Sequence, residues 1–270
     1  MNNYEEGGLM KCDLCGGKGY VFKKNSKYSE IEKCKCSMHC EICNDTGYTE
    51  IYKDGYRFLK PCECRKLADK IKRYNELKIP VKYSQKTLDN FEIIKYDKEV
   101  YNSQKGIVDK LRNYIENFDL DSKGIILYGS NGIGKTHLLT ALLSELVLRY
   151  KVTGLYLDFP QWILGNKYLF YENNENLQRE LEKITGVDIL VIDEFAKNRT
   201  DFEKEIFEKI FYERYNMKKI IFIGTNYDIT GKGKHGRDIK EVVSPALFSR
   251  LGDFQSFEAN LLVGEDYRLS

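Results

Sequence analysis

The residues with the clearest chemistry are eight cysteines, all of them within the first 64 positions. They form two units of one pattern, C-x2-C and then, after 18 residues, C-x-C; the second unit repeats the first at an offset of 28. The first unit contains Cys12, Cys15, Cys34 and Cys36, and the second contains Cys40, Cys43, Cys62 and Cys64. Closely spaced cysteine pairs on tight turns are typical ligands of tetrahedral zinc, so the spacing predicts two four-thiolate zinc sites per chain.

Other interpretations of these cysteines stay open at this point. Four thiolates also suit an iron–sulfur cluster, whereas disulfides are less favoured in a reducing cytosol and a redox C-x2-C lacks its usual βαβ surroundings. The pairing is open too, because the four cysteines between positions 34 and 43 are close enough to form one site across the repeat. His39 lies in that stretch, and we interpret it as a bystander because eight cysteines already fill two sites.

A phosphate-binding motif is the second chemical feature. The segment Gly129–Thr136 (GSNGIGKT) matches G-x4-G-K-[ST] in full, and it lies between an apolar strand-like run and an apolar helix-like run. Its glycines let successive amides point at phosphates, Lys135 reaches the β- and γ-phosphates, and Thr136 places its hydroxyl on magnesium. The sequence therefore predicts a site for ATP or ADP with Mg²⁺. Its residues are Gly129, Ser130, Asn131, Gly132, Ile133, Gly134, Lys135, Thr136 and His137.

Polar side chains follow two further apolar runs. Asp193 and Glu194 end the run that starts at Asp188, and Asn226 follows the run Lys219–Gly224. Asp193 is expected to hold the water shell of magnesium, and Glu194 is expected to polarise the attacking water as a general base. Asn226, at the end of its strand, is expected to orient the same water. Together with the phosphate loop, these residues predict an ATPase.

The elements that must position these groups alternate between strands and helices. Strands are predicted over 124–128, 152–158, 188–193 and 219–224, with helices at about 137–150, 202–216 and 239–250. This order predicts an α/β fold, a parallel sheet covered by helices on both faces. The cysteine units instead predict small β-hairpins. The predicted domains are tandem zinc ribbons over 1–64 (1–37 and 38–64), a linker helix over 65–80 and a nucleotide-binding domain over 81–270.

Charge composition limits the partners of the cysteine-rich head. The whole chain has 43 basic and 41 acidic residues, which excludes a polycation. Residues 1–80 carry 16 basic and 12 acidic side chains, but eight thiolates with two zinc ions bring the head close to neutrality. The head is thus predicted to grip a protein rather than a phosphate backbone. We also expect a cytoplasmic protein without a membrane segment, because no run resembles a signal peptide or a bilayer-spanning helix.

The order of these motifs resembles that of a known class of ATPases. The motifs resemble, in type and order, those of AAA+ ATPases, most of all those of the DnaC/DnaI helicase loaders, which are related to DnaA initiators and IstB transposition helpers. They are GKTHL at the phosphate loop, Asp193-Glu194, Thr225-Asn226 and Ser249-Arg250-Leu251. The resemblance implies that Arg250 is an arginine finger that completes a neighbouring subunit's site, and hence self-association. Only 20 residues follow Arg250, so no helical lid is expected, and Arg268 is a candidate second sensor in the tail Gly264–Arg268.

The resemblance also implies a function, namely an ATP-dependent helicase loader. The zinc head would bind the replicative helicase, and the AAA+ domain would hold single-stranded DNA. Trp162, Lys167 and Tyr168 are candidates for DNA contact, as is the basic loop Gly231–Arg237. Two alternatives are an IstB-like helper that presents target DNA to a transposase, and a zinc-dependent adaptor that binds nucleotide with little turnover.

Overall fold

The structure of the chain is a computed structural model that describes residues 12–24, 26–166, 175–195, 200–234 and 236–268. The chain divides into two compact units, Met1–Ser84 and Gln85–Ser270. Each unit contains one of the two chemical features found in the sequence.

The first unit contains two β-hairpins, as the sequence predicts. Strands β1 (Tyr20–Phe22) and β2 (Ile31–Lys33) form one antiparallel pair. Strands β3 (Tyr48–Lys53) and β4 (Tyr56–Pro61) form the other. Asp54 and Gly55 both have positive φ and make the tight turn of the second hairpin. Each hairpin leads back to its own C-x-C pair, so the strands bring both cysteine pairs of a unit to one end.

A helix packs against the first hairpin. Helix α1 (Cys64–Asn75) begins at the last cysteine of the second unit, and its Tyr74 is buried. The Tyr74 hydroxyl shares a 2.8 Å hydrogen bond with Ser29 Oγ, and Asn75 exchanges hydrogen bonds with the backbone of Ile31. The segment 65–80, predicted as a linker helix, is thus helical from Cys64 to Asn75 and contributes to the core of the first unit.

The second unit is built on a parallel sheet, which confirms the predicted α/β class. Within the described residues its five strands lie in the order β6-β7-β8-β5-β9. Their bounds are β5 Gly124–Tyr128, β6 Gly154–Asp158, β7 Ile189–Asp193, β8 Ile220–Thr225 and β9 Phe257–Leu261. Strands β5, β7 and β8 are fully buried, which explains why they are continuous apolar runs rather than alternating ones.

Helices cover both faces of this sheet. They are α2 Lys98–Glu116, α3 Lys135–Arg149, α4 Phe159–Gly165, α5 Glu175–Gly186, α6 Asp201–Asn216 and α7 Pro245–Leu251. The single helix predicted over 239–250 is wrong: the structure has a short 3₁₀ turn at Ile239–Glu241 and then α7. Pro245 is the reason, because it lacks an amide hydrogen and starts a new helix that Ser244 caps with a hydrogen bond to the Leu247 amide.

Helix α2 and strand β9 had no counterpart in the sequence prediction. Strand β9 pairs with the outer edge of β5 and leads into the tail, and residues 252–268, all described, contain no helical lid. No helix in the described ranges has the length and hydropathy of a bilayer-spanning segment. The sheet therefore ends one strand beyond its phosphate-loop strand β5, and the described chain continues from β9 into the tail Gly264–Arg268.

Candidate functional site

The phosphate loop connects strand β5, which lies between β8 and β9, to helix α3. Gly134, at the helix start, has φ of +94°, and Phe91 occupies the space into which any larger side chain would point. Ile133 is fully buried and anchors the loop. His137, in the first turn of the helix, donates from Nε2 to the Thr87 carbonyl at 2.8 Å. Loop and helix are thus held from outside by the segment that precedes α2.

Lys135 lies folded into this loop. Its ammonium group donates to the carbonyls of Gly129 (2.9 Å) and Ser130 (2.6 Å), and the residue is only 8% exposed. Burial lowers the pKa of Lys135 to about 8, although the negative charge of Asp193 opposes this shift. A bound phosphate would replace the two carbonyls as the partner of the ammonium group and favour its charged form.

Thr136 and Asp193 meet at the carboxyl end of the sheet. The Thr136 hydroxyl donates to Asp193 Oδ2 at 2.7 Å, and the Tyr156 hydroxyl donates to the same oxygen at 2.8 Å. Asp193 Oδ1 accepts the Glu194 amide at 3.0 Å. A hydroxyl and a carboxylate beside a phosphate loop are the oxygen ligands that Mg²⁺ prefers, so these residues fit a magnesium site.

Glu194 and Asn226 follow neighbouring strands. Glu194 is exposed and has φ of +52°, a left-handed conformation that is uncommon for a residue with a side chain. Such conformations cluster at functional sites because the surrounding structure must hold them. Asn226 is half-buried at the end of β8, which lies between the strands of Gly129 and Asp193. The sheet order thus places five residues at the carboxyl ends of its inner strands, namely Lys135, Thr136, Asp193, Glu194 and Asn226.

The tail after β9 lies on the phosphate loop. The Asp266 carboxylate lies against Gly132, at the place where a side chain on residue 132 would point, and the Tyr267 amide donates to the Gly132 carbonyl at 3.2 Å. Among the charges that act on the Lys135 ammonium are those of Asp266 and Arg268. Arg268, the candidate second sensor, therefore lies close enough to the phosphate loop for its charge to act on Lys135.

A buried glutamine fastens that tail. Gln104 on α2 is fully buried; its Oε1 accepts the Ile94 amide at 2.9 Å, and its Nε2 donates to the Val263 carbonyl at 3.0 Å. The Tyr267 hydroxyl donates to the Glu92 carbonyl and to Gln104 Oε1. One side chain therefore ties α2 and the segment before it to the tail.

Arg250 lies on α7, where the structure packs it against helix α6. Its guanidinium is 4.8 Å from the ring centre of Tyr212 and 5.6 Å from that of Tyr215, and Nη1 donates to the Ala246 carbonyl at 3.0 Å. Two aromatic rings hold the side chain in one orientation and leave it half-buried. This is a preorganised cation on the surface of the second unit.

The cysteines form two groups, and each group contains the four cysteines of one repeat. In the first, Sγ atoms are 3.8 Å apart for Cys12 and Cys34 and 3.5 Å apart for Cys15 and Cys36. In the second, the corresponding distances are 3.7 Å (Cys40–Cys62) and 3.5 Å (Cys43–Cys64). The structure thus pairs ligands within each repeat rather than across it. His39 points elsewhere, with Nδ1 2.7 Å from Asp45 Oδ2.

These distances fit a single tetrahedral ion. Four sulfurs at the Zn–S distance of a tetrahedral site lie about 3.8 Å apart, whereas a disulfide needs about 2.05 Å. A multi-iron cluster would hold the thiolates on different irons farther apart, whereas all four sulfurs of each group lie within 4.8 Å of one another. Burial opposes ionisation of the Cys15 thiol, but the Gly19 amide and the neighbouring thiols outweigh it and lower its pKa to about 7. The donor set is therefore suited to zinc.

The predicted DNA contacts fall in different places. Trp162 is half-buried and packs on Phe159, with ring centres 5.9 Å apart, at the edge of the core. Lys167 and Tyr168 lie outside the described residues, as does His235 of the basic loop. Lys240 of the following 3₁₀ turn donates to the Gly231 carbonyl, which ties down one end of that loop.

Three positions at this site were missed from the sequence. They are Tyr156 on β6, Gln104 on α2 and Asp266 in the tail. Tyr156 lies two residues before the end of a predicted strand, and that position is the only signal by which it was detectable. Gln104 is indistinguishable from an exposed helical residue until the packing of α2 is known.

Comparison with known proteins gives one family match and several relatives. Residues 64–252 match the family model described as IstB-like ATP binding protein. The chain is 32% identical over 124 residues to a protein named replicative helicase loader DnaC from Escherichia coli K12, a match that covers 46% of this chain and 50% of that protein. The chain thus spans about half the length of the curated relatives it matches.

Two solved structures share the fold. One, titled as a crystal structure of the DnaC helicase loader, superimposes with a TM-score of 0.57 at 23% identity and covers 67% of this chain and 99% of its own. The other, titled as a crystal structure of DnaI, gives a TM-score of 0.54 at 18% identity and covers 72% of this chain and 98% of its own. At these identities the likeness concerns the fold.

Proposed function

The chain belongs to the IstB-like ATP-binding protein family and to the DnaC/DnaI clade of AAA+ ATPases, and on that premise we propose that it is an ATP-dependent loader of a replicative helicase. The observation that carries the proposal is the contact of Thr136 with Asp193 beside a complete phosphate loop. It supports a nucleotide-dependent switch. The similarity to DnaC supports the helicase as the object of that switch.

The proposed roles of the site residues follow from their positions. Lys135 binds the β- and γ-phosphates, and Thr136 and Asp193 hold Mg²⁺, which when bound neutralises charge on those phosphates. Glu194 accepts the proton of the attacking water, and Asn226 orients that water. Arg250 of an adjacent copy is proposed to complete the site by neutralising charge on the γ-phosphate. Turnover is therefore weak until copies assemble.

We propose that the two cysteine groups hold zinc and that the zinc-bound head binds the helicase. Hairpins of this size bury too little apolar surface to fold unaided, so metal binding supplies the missing stability. The AAA+ unit would hold single-stranded DNA through a local surface that includes the loop 231–237. ATP binding would favour the assembled state, and hydrolysis would release the loader.

Glu194→Gln tests the enzymatic part. The variant keeps Mg²⁺ and phosphate ligands but loses the base, so we expect it to retain ATP, stay assembled and hydrolyse at least about 100-fold more slowly than wild type. Gel filtration with ATP, ADP and no nucleotide measures the assembly. Equal background turnover in variant and wild type would instead indicate an adaptor that binds nucleotide without using it.

A second candidate function follows from the family match itself. The matched model describes IstB-like proteins, and these share the ATPase core, so the partner must discriminate between them. We propose a pull-down with the purified replicative helicase of the same host and, in parallel, with a purified transposase of the same host. Retention of the helicase supports the loader. Retention of the transposase alone supports the transposition helper.

A further inference from the structure

The two cysteine ribbons use their hairpins differently. In the first ribbon, Ile31 is fully buried, and the Phe22 ring lies 6.0 Å from that of Tyr74 on α1. The repeat offset of 28 places Leu59 at the position of Ile31, and Leu59 is 62% exposed. The face of the first hairpin that carries Ile31 is thus covered by α1, whereas its counterpart on the second hairpin, the face that Leu59 shares with Glu50, is exposed.

The second hairpin, formed by β3 and β4, has two faces, which its register defines. Cross-strand partners share a face, and successive pairs alternate between the two faces. One face carries the ion pair between Glu50 and Arg57, and Tyr48 on this face lies under the Arg65 guanidinium, 4.6 Å from its ring centre. The charges of this face therefore find partners within the chain.

The other face, which we call the lysine–aromatic face, lacks a carboxylate. Its six residues are Thr49, Ile51, Lys53, Tyr56, Phe58 and Lys60. The apolar members are strongly exposed: Ile51 by 43%, Phe58 by 48% and Tyr56 by 70%. Side chains of this size are rarely exposed together on a small domain unless they mark an interaction site.

We propose that the lysine–aromatic face is the docking surface for the replicative helicase, and that it binds an amphipathic helicase segment with carboxylates beside an apolar stripe. The inference rests on the proposed function and assigns it to one face of one ribbon. Ile51 and Phe58 form the central pair and would pack on the apolar stripe, while Lys53 and Lys60 at opposite ends would face the carboxylates.

Single-stranded DNA is the competing ligand, since lysines and aromatic rings also suit it. Two features favour a protein. The centre of the face is the Ile51–Phe58 pair, and an isoleucine offers apolar packing but no ring for a base to stack on. Two lysines also give only a weak phosphate attraction, because the affinity of such a site scales with the number of phosphates neutralised.

The test uses the zinc-loaded chain with both of its units and the purified hexameric helicase of the same host, with affinity measured by biolayer interferometry. We expect Phe58→Ser to weaken binding roughly tenfold or more and Lys53→Glu with Lys60→Glu to do the same. The matched control is Tyr52→Ser on the opposite face, which is 73% exposed and should change the affinity less than about twofold. Zinc content and circular dichroism check that each variant is folded.

The possible results distinguish a failure of the assigned docking face from a failure of the loader proposal. If wild type binds the helicase and both face variants bind it equally well, the assigned surface is wrong and the loader proposal stands. If the face variants lose only a fluorescent dT20 oligonucleotide and keep the helicase, the face binds nucleic acid and the inference is overturned. If wild type does not bind the helicase, the loader proposal itself fails.

Discussion

The Thr136 hydroxyl donates a 2.7 Å hydrogen bond to Asp193 Oδ2, which joins the helix after the phosphate loop to the end of strand β7. The same oxygen accepts the Tyr156 hydroxyl, and Oδ1 accepts the Glu194 amide. The carboxylate is therefore oriented on both oxygens by its own chain. Such preorganisation reduces the cost of arranging ligands when Mg²⁺ and nucleotide bind.

Tyr156→Phe tests this orientation. The variant removes one hydrogen bond to Asp193 Oδ2 and leaves the shape of the site intact, so we expect the Mg²⁺ concentration for half-maximal ATPase activity to rise about three- to tenfold. Activity at saturating Mg²⁺ should change little. Tyr150→Phe is the control, because it also removes one tyrosine hydroxyl, but that hydroxyl donates to the Ile115 carbonyl and not to Asp193. Superimposable Mg²⁺ titrations for Tyr156→Phe and wild type would contradict the assigned role.

Arg214 is the second target. It is fully buried, and its guanidinium donates to the carbonyls of Ile184, Thr185, Val187, Asp188 and Ile220. Three of these acceptors lie at the end of helix α5 or just after it, the fourth immediately precedes β7, and the fifth begins β8. One side chain thus joins the end of a helix to the start of two strands. We expect Arg214→Met to lower the free energy of unfolding by about 3 kcal/mol, because it leaves buried carbonyls without donors.

The control for Arg214 is Arg149→Met. Arg149 forms exposed ion pairs with Glu116 and Glu145, which contribute at most about 1 kcal/mol. Urea unfolding followed by circular dichroism measures both variants. If Arg214→Met lowers the free energy of unfolding no more than Arg149→Met does, water must replace the guanidinium at low cost.

Metal content tests the two cysteine groups separately. We expect two zinc ions per chain in the wild type, because the structure forms two four-thiolate groups. Cys36→Ser and Cys64→Ser should each leave one ion, measured by mass spectrometry of the metal. Cys64 also begins helix α1, so Cys64→Ser should additionally speed hydrogen exchange in the first turn of that helix. Iron in the wild type, or two ions retained in a variant, would contradict the assignment.

The sequence predicted the parts of the site that short segments determine. The glycines of the phosphate loop and the run ending at Asp193 each specify a local conformation, and the structure has β5, β7 and β8 within one or two residues of the predicted bounds. The cysteine repeat likewise predicted both hairpins, because its ligand spacing fixes where each strand must return.

The parts that were missed depend on contacts between distant segments. Gln104 became informative only because α2 packs beside the tail, 159 residues away in sequence. Helix α1 itself was predicted, but as a connector; its packing against the first hairpin was not predicted, since an apolar stripe does not say which surface it covers. Strand β9 has only two buried residues of five, so it lacked the continuous apolar pattern of the central strands.

Asp266 provides the last prediction, which concerns nucleotide affinity. Its carboxylate lies against Gly132 of the phosphate loop, where a negative charge repels the phosphates of a bound nucleotide. We expect Asp266→Ala to tighten ADP binding about three- to tenfold, because it removes that charge while the Tyr267 amide still donates to the Gly132 carbonyl. Titration of a fluorescent ADP analogue at constant ionic strength measures the change.

The adjacent carboxylate is the matched control for that experiment. Glu265 accepts the Tyr96 hydroxyl at 2.7 Å rather than facing the loop, so Glu265→Ala should leave ADP affinity within about twofold of wild type. Weaker ADP binding in Asp266→Ala would reverse the conclusion: the carboxylate, which also accepts the Arg268 amide, would then serve to hold the tail on the loop. In that case Asp266→Asn, which keeps an acceptor for that amide without the charge, should restore the wild-type affinity.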